Sequence, residues 1–139
     1  MCLDSLLPKN KRVKYEHDED GVIVGYKVLV YHLHTFHPVF YGKGEIPQKT
    51  WINAIDYRQK TFTVLKPERH ISAVQNVRYK SGWHFFPNII SAERYRQQCQ
   101  PDSTVVICRV KVKTIVARGY SYPKLLTCIA RELYIDKRI

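Results

Sequence analysis

The sequence predicts a single α+β domain, mostly antiparallel sheet with one or two helices packed on it. Three observations carry that expectation. A run rich in β-branched and aromatic residues covers 22–33, and a second covers 104–117. Between them Ser91 opens a helical pattern with Glu93 in its first turn and Pro101 as its stop. The 139 residues suit one domain. With 45% hydrophobic residues, ten Tyr, five Phe and two Trp, the chain has enough core material to exclude a disordered protein. A membrane-spanning helix is excluded as well, because the best apolar stretch, 22–33, is short and interrupted by Gly25 and Lys27.

In chain order, residues 1–20 read as an N-terminal arm and 21–139 as the basic domain. Pro8, a basic run at 9–14 and an acidic run at 16–20 flank a small apolar patch, Leu3, Leu6 and Leu7, which fits a docked turn of helix. The run 22–33 is a long, largely buried strand in which Gly25 marks a bulge or a close approach. Residues 35–38 read as a turn and 39–41 as a short strand ended by Gly42 and Gly44. The stretch 47–57 is ambiguous; Trp51, Ile52 and Ile55 fit a helical face, with Pro47 tolerated in the first turn. Residues 61–65 alternate as a strand before Pro67, and 71–77 is a weaker strand. Ser81-Gly82 turns into a short apolar strand, the helix runs from Ser91 to Gln100, 104–117 is the clearest strand, and 125–135 is more strand than helix.

Charge is the strongest functional signal. There are 23 Lys and Arg against 12 Asp and Glu, a formal net charge of +11, with an isoelectric point near 9.6. Five of the acids and four of the bases fall in the first twenty residues, so the rest carries +12. A field of that sign favours nucleic acid or an acidic protein surface as partner. The cysteines, Cys2, Cys99, Cys108 and Cys128, form no CxxC pair and follow no recognisable secretory leader. They read as free thiols of a reducing, cytoplasmic compartment; the other reading is an N-terminal Cys2 nucleophile exposed by removal of Met1.

Three constellations are candidate sites. Strand alternation puts Arg109, Lys111 and Lys113 on one face, opposite Cys108, Val110 and Val112. Their spacing of roughly 6.6 Å is comparable to that of phosphates along a single strand, and Tyr and Trp elsewhere can supply stacking surfaces. His32, His34 and His37 have metal-ligand spacing, but no acid nearby completes a set, so exposed histidines at a strand end are the simpler expectation. In Tyr79-Lys-Ser-Gly-Trp-His-Phe-Phe, Gly82 permits a tight turn and His84 points away from Trp83 and Phe85.

The blocks Ser81-Gly-Trp-His-Phe and Ser91-Ala-Glu-Arg-Tyr, the Val-rich strand at 105–116 and the ending Ala130-Arg-Glu-Leu-Tyr-Ile resemble a group of small, uncharacterised phage and bacterial domains. Those carry a Gly-[Phe/Trp]-His signature, then a helix, a strand and a closing Ala-Arg-Glu strand. The resemblance covers roughly 22–135. It implies a phage-type accessory protein and no particular reaction. A second resemblance is to the ADP-ribosyltransferase fold, through His32, the segment 82–86 and Glu132 in that order. It implies an NAD-using enzyme in which His32 holds the ribose, the 82–86 segment meets the nicotinamide and Glu132 stabilises the developing cation. Here His84 stands where that family has its aromatic residue, and Leu33 follows His32 in place of Gly.

The sequence therefore leads to a phage-type protein that works by binding. Its Arg109, Lys111 and Lys113 face would engage an acidic host protein, such as RNA polymerase, or nucleic acid, and so modulate host transcription or defence. No cofactor is expected on that reading. The alternatives are an NAD-dependent ADP-ribosyltransferase-like enzyme built on His32, His84 and Glu132, and a protein that sequesters a nucleotide without turnover.

Overall fold

In the computed structural model, residues 3–39, 44–61, 69–71, 78–80, 82–99 and 104–139 are described. In order they form β1 (Ser5–Leu6), β2 (Glu16–His17), β3 (Ile23–His32), β4 (Thr35–Pro38), β5 (Trp51–Asn53), α1 (Ala54–Thr61), β6 (Arg69–Ile71), β7 (Arg78–Lys80), β8 (Trp83–Phe85), α2 (Ile89–Gln98), β9 (Val105–Ser121) and β10 (Leu125–Arg138). This corrects the expected α+β class. Among the described residues ten strands stand against two short helices, and eight of the strands belong to one sheet. The reason is that short segments between the long strands add to the sheet edges. The ambiguous stretch 47–57 splits into β5 and the start of α1, the expected turn at 35–38 is β4, and the arm contributes β1 and β2. The expected strands at 61–65 and 71–77 and the segment 40–43 fall mostly outside the described residues.

The sheet is built on β9, which pairs antiparallel with β3 along one edge and β10 along the other. The free edge of β10 takes β8 at 128–130 and β5 at 132–134. The free edge of β3 takes β2 at 23–24 and β4 at 29–32. Between these, Tyr26 and Phe86 exchange backbone hydrogen bonds of 2.8 Å each way. Since β8 already lies on β10, its continuation through Phe86 curls the sheet back onto β3 in a barrel-like closure. A second tie runs from Phe36 to Ile46 and from Lys49 to Ile135.

Alternation then sorts the residues. Leu29, Phe85, Val106, Cys108, Val110 and Cys128 line the interior core. On the outside α2 packs Ala92 and Tyr95 against Tyr26, Val28, Phe86 and Ile107. The Asn88 side chain caps α2 by accepting from the Ser91 N–H at 2.9 Å, so Ser91 lies in the first turn rather than at the cap. Gly25 is the close approach: a Cβ there would run into the Phe85 ring and the Phe86 carbonyl. Leu3 of the arm is fully buried beside Tyr79 and Ile129, and its N–H donates to the Tyr79 hydroxyl at 2.9 Å.

One backbone feature shapes the outer face. Thr114, in the middle of β9, has φ of 62°. That is the left-handed region, costly for a β-branched residue. Across the same point the inward set on β10 changes parity, from Cys128 and Ala130 to Leu133 and Ile135. The register also slips by one residue between Ile129 and Ala130. The β9–β10 ribbon therefore bends here, and the parity change puts Glu132 and Tyr134 on the outside, opposite Lys113 and Lys111.

Candidate functional site

The stripe expected on β9 exists, but it is not bare. Val110 and Val112 are buried while Arg109, Lys111 and Lys113 face outward. The Arg109 guanidinium meets the Asp136 carboxylate at 2.6 Å, and Lys49 reaches the other oxygen of Asp136 at 3.2 Å. Burial works to raise the Asp136 carboxyl, but hydrogen bonds from Lys49 and Arg109 outweigh it and hold the group below its usual range. Lys111 pairs with Asp18 at 3.0 Å, which raises its pKa. The Asp18 carboxyl is lowered, first by the Val22 N–H and then by Lys111.

Lys113 has a different neighbour. It is exposed, and its ammonium sits 4.1 Å from the centroid of the Trp51 ring. Trp51 itself is 37% exposed. The β5–β10 register sets Trp51 opposite Tyr134, their rings 5.5 Å apart and tilted at 44°. Lys111 in turn stands 5.7 Å over Tyr134. Two rings and two ammonium groups thus share one outer patch, each cation within cation–π range of a ring. The sequence points to the cations but not to these two rings, because the stretch around Trp51 is ambiguous and fits a helical face, and its partner Tyr134 lies far along the chain.

The other candidates are placed as follows. His32 and His34 are exposed at the β3–β4 hairpin, where Leu33 (φ 50°) and His34 (φ 65°) make the two-residue turn. The turn takes His34 out of β3, so it shares no strand face with His32. The His37 ring bonds the Thr35 hydroxyl at 2.7 Å. Among the described residues no group of three His, Cys, Asp or Glu is arranged to hold a metal. His84 does point away from the buried Trp83 and Phe85, with its ring against Tyr79. Glu132 lies opposite Lys113 and Asn53 on the outer patch. His32 is two residues beyond the Val30–Val105 pair, and Lys113 is eight residues further along β9. His32 and Glu132 therefore stand on rows roughly 26 Å apart or more. The structure does not bring them together.

Lys27 is the residue that sequence reading passed over. It lies opposite Cys108, inside the barrel-like layer, and its ammonium donates to the His84 carbonyl at 2.6 Å beside the Trp83 ring. Burial pushes its pKa down to about 8. The thiols of Cys108 and Cys128 are pushed up to about 12 and about 11, again chiefly by burial, so both remain protonated and inert at neutral pH. Cys2 lies outside the described residues.

No helix among the described residues is long and apolar enough to cross a membrane. Comparison with protein-family models, with curated proteins and with solved structures finds no match for this chain.

Proposed function

We propose that the chain binds single-stranded nucleic acid on the outer face of β5, β9 and β10. The bases stack on Trp51 and Tyr134, and Lys113 and its neighbours hold phosphates. One observation carries the reading: an exposed Trp, a second ring 5.5 Å away and two lysine ammonium groups occupy one sheet face. Every base has a π-face, so such a platform is tolerant of sequence, and cations around it follow the backbone. An incoming base displaces Lys113 from the Trp51 ring, and the released ammonium is then within reach of the adjoining phosphate. In a duplex the base faces are already stacked, so the platform favours unpaired strands. An acidic protein surface would use the same cations but not the ring faces.

Binding of a short labelled oligothymidine, followed by fluorescence anisotropy at low and moderate salt, tests this. Stacking contributes about 1–3 kcal/mol per base, so Trp51→Ala should weaken binding by about fivefold to 150-fold and leave the fold intact. Equal affinity of wild type and Trp51→Ala would refute the reading. Equal affinity for duplex and single strand would refute it too, and binding of acidic proteins that survives loss of Trp51 would favour the protein partner.

A further inference from the structure

Arg109 and Lys111 are both held by carboxylates of their own chain, but the two acids are mounted differently. Asp136 belongs to the long strand β10 and is gripped from two sides. Asp18 stands in the turn between β2 and β3, and β2 pairs with β3 through only two residues. One oxygen of Asp18 accepts from the N–H groups of Asp20 and Val22, both at 2.9 Å. The other faces Lys111 at 3.0 Å, the arrangement a phosphate oxygen would make on that ammonium. Lys111 lies two residues from Lys113 on the same face, hence about 6.6 Å along the strand, a step comparable to the phosphate spacing of an extended single strand.

We propose that Lys111 is a second phosphate position on the strand path, and that the Asp18 carboxylate occupies it in the free protein. This rests on the single-strand reading above. Nucleic acid exchanges a backbone phosphate for Asp18, and the short β2–β3 turn swings aside. Asp18 thereby sets a threshold: only a ligand that competes with a carboxylate, a polyanion rather than a lone base or nucleoside, gains the full contact.

The test uses Asp18→Asn in the full chain. Asparagine keeps the oxygen that accepts from Asp20 and Val22, so the turn survives, while the negative charge facing Lys111 is lost. Glu19→Gln is the control, because Glu19 is exposed on the same turn and carries the same charge. Asp18→Asn should bind oligothymidine about fivefold tighter with a salt dependence steeper by about 0.7 in log–log slope, because neutralising the phosphate on Lys111 no longer frees a carboxylate charge. Glu19→Gln should change affinity by less than about twofold. Equal gains in the two variants would mean a general charge effect and overturn the proposal, as would no gain in Asp18→Asn. Loss of binding in Trp51→Ala with no response to Asp18→Asn leaves the platform standing and removes only this subsite. No effect of Trp51→Ala removes the platform itself.

Discussion

Two lysines in this molecule sit over tryptophan rings, one on each side of the same sheet, and their surroundings give the pairs opposite roles. Lys27 lies 5.8 Å from the Trp83 centroid on the inside, and Lys113 lies 4.1 Å from Trp51 on the outside. Trp83 is 6% exposed, its indole N–H donates to the Ile52 carbonyl at 3.0 Å, and Tyr57 packs on it at 4.9 Å. The indole N–H of that pair is committed, and its ammonium is hydrogen-bonded to the backbone. Lys27 caps the His84 carbonyl where β3 and β8 part company beyond the Tyr26–Phe86 bridge, so it takes the place of a missing ladder bond. Outside, the Trp51 ring and the Lys113 ammonium both remain open to solvent. The residue pair alone says nothing of function; the face of the sheet decides it.

The largest expected effect breaks the inner pair. Trp83→Ala should destabilise the fold by about 3–5 kcal/mol, the usual range for a buried aromatic. Trp51→Ala should cost less than about 1 kcal/mol while weakening binding. Urea titration of both variants checks the contrast. Comparable losses of stability would mean that Trp51 is a core residue and would undo the distinction between the faces.

The next effect reads the inner ammonium through pH. A lysine whose folded pKa is about 8 against an ordinary 10.5 binds fewer protons folded than unfolded between those values. Stability therefore rises with pH across that window, by roughly 3 kcal/mol at most, and the penalty is fully present below pH 8. Cys108 and Cys128 act in the opposite sense above pH 9, since their thiols lose protons first in the unfolded chain. Comparing wild type with Lys27→Met cancels those contributions. The variant should gain most, relative to wild type, at pH 7, and the gap should narrow toward pH 10.5. A gap that stays constant with pH would show that Lys27 is solvated in the folded protein.

How far these faces could be read beforehand follows from the range of each interaction. The three long strands and α2 were legible because their patterns are local, and so was the common face of Arg109, Lys111 and Lys113. Gly25 was legible as a close approach, though not its partner Phe85. Trp51 was not. Trp51, Ile52 and Ile55 satisfy a helical period, and only pairing with 132–134 pulls the first three residues into a strand before Asn53 caps α1 by accepting from the Ile55 N–H. β1, β2 and β4 are too short to show a period at all. Lys27 appeared as a mere interruption of an apolar run, although alternation sets it on the same face as Gly25 and Leu29. The parity change on β10 was invisible, because the bend opposite it uses threonine where glycine or asparagine would be expected.

That bend supplies the smallest effect and the sharpest check on the outer pair. At φ of 62° Thr114 carries strain that glycine would not, and its side chain is exposed, so little packing is lost by removing it. Glycine also loosens the unfolded chain, which offsets part of the relief. Thr114→Gly should therefore stabilise the protein by about 0.5–1 kcal/mol. The bend itself is held from both sides, by Ile115 and Ala130 in the core and by the pairing of Lys113 with Glu132 beyond it. Lys113 should then stay on Trp51, and oligothymidine affinity should change by less than about twofold, within the range of an ordinary exposed substitution. If the variant is instead more stable and binds markedly more weakly, the strained threonine is itself what presses Lys113 onto the ring. The outer pair would then depend on stored backbone strain, as the inner pair depends on burial.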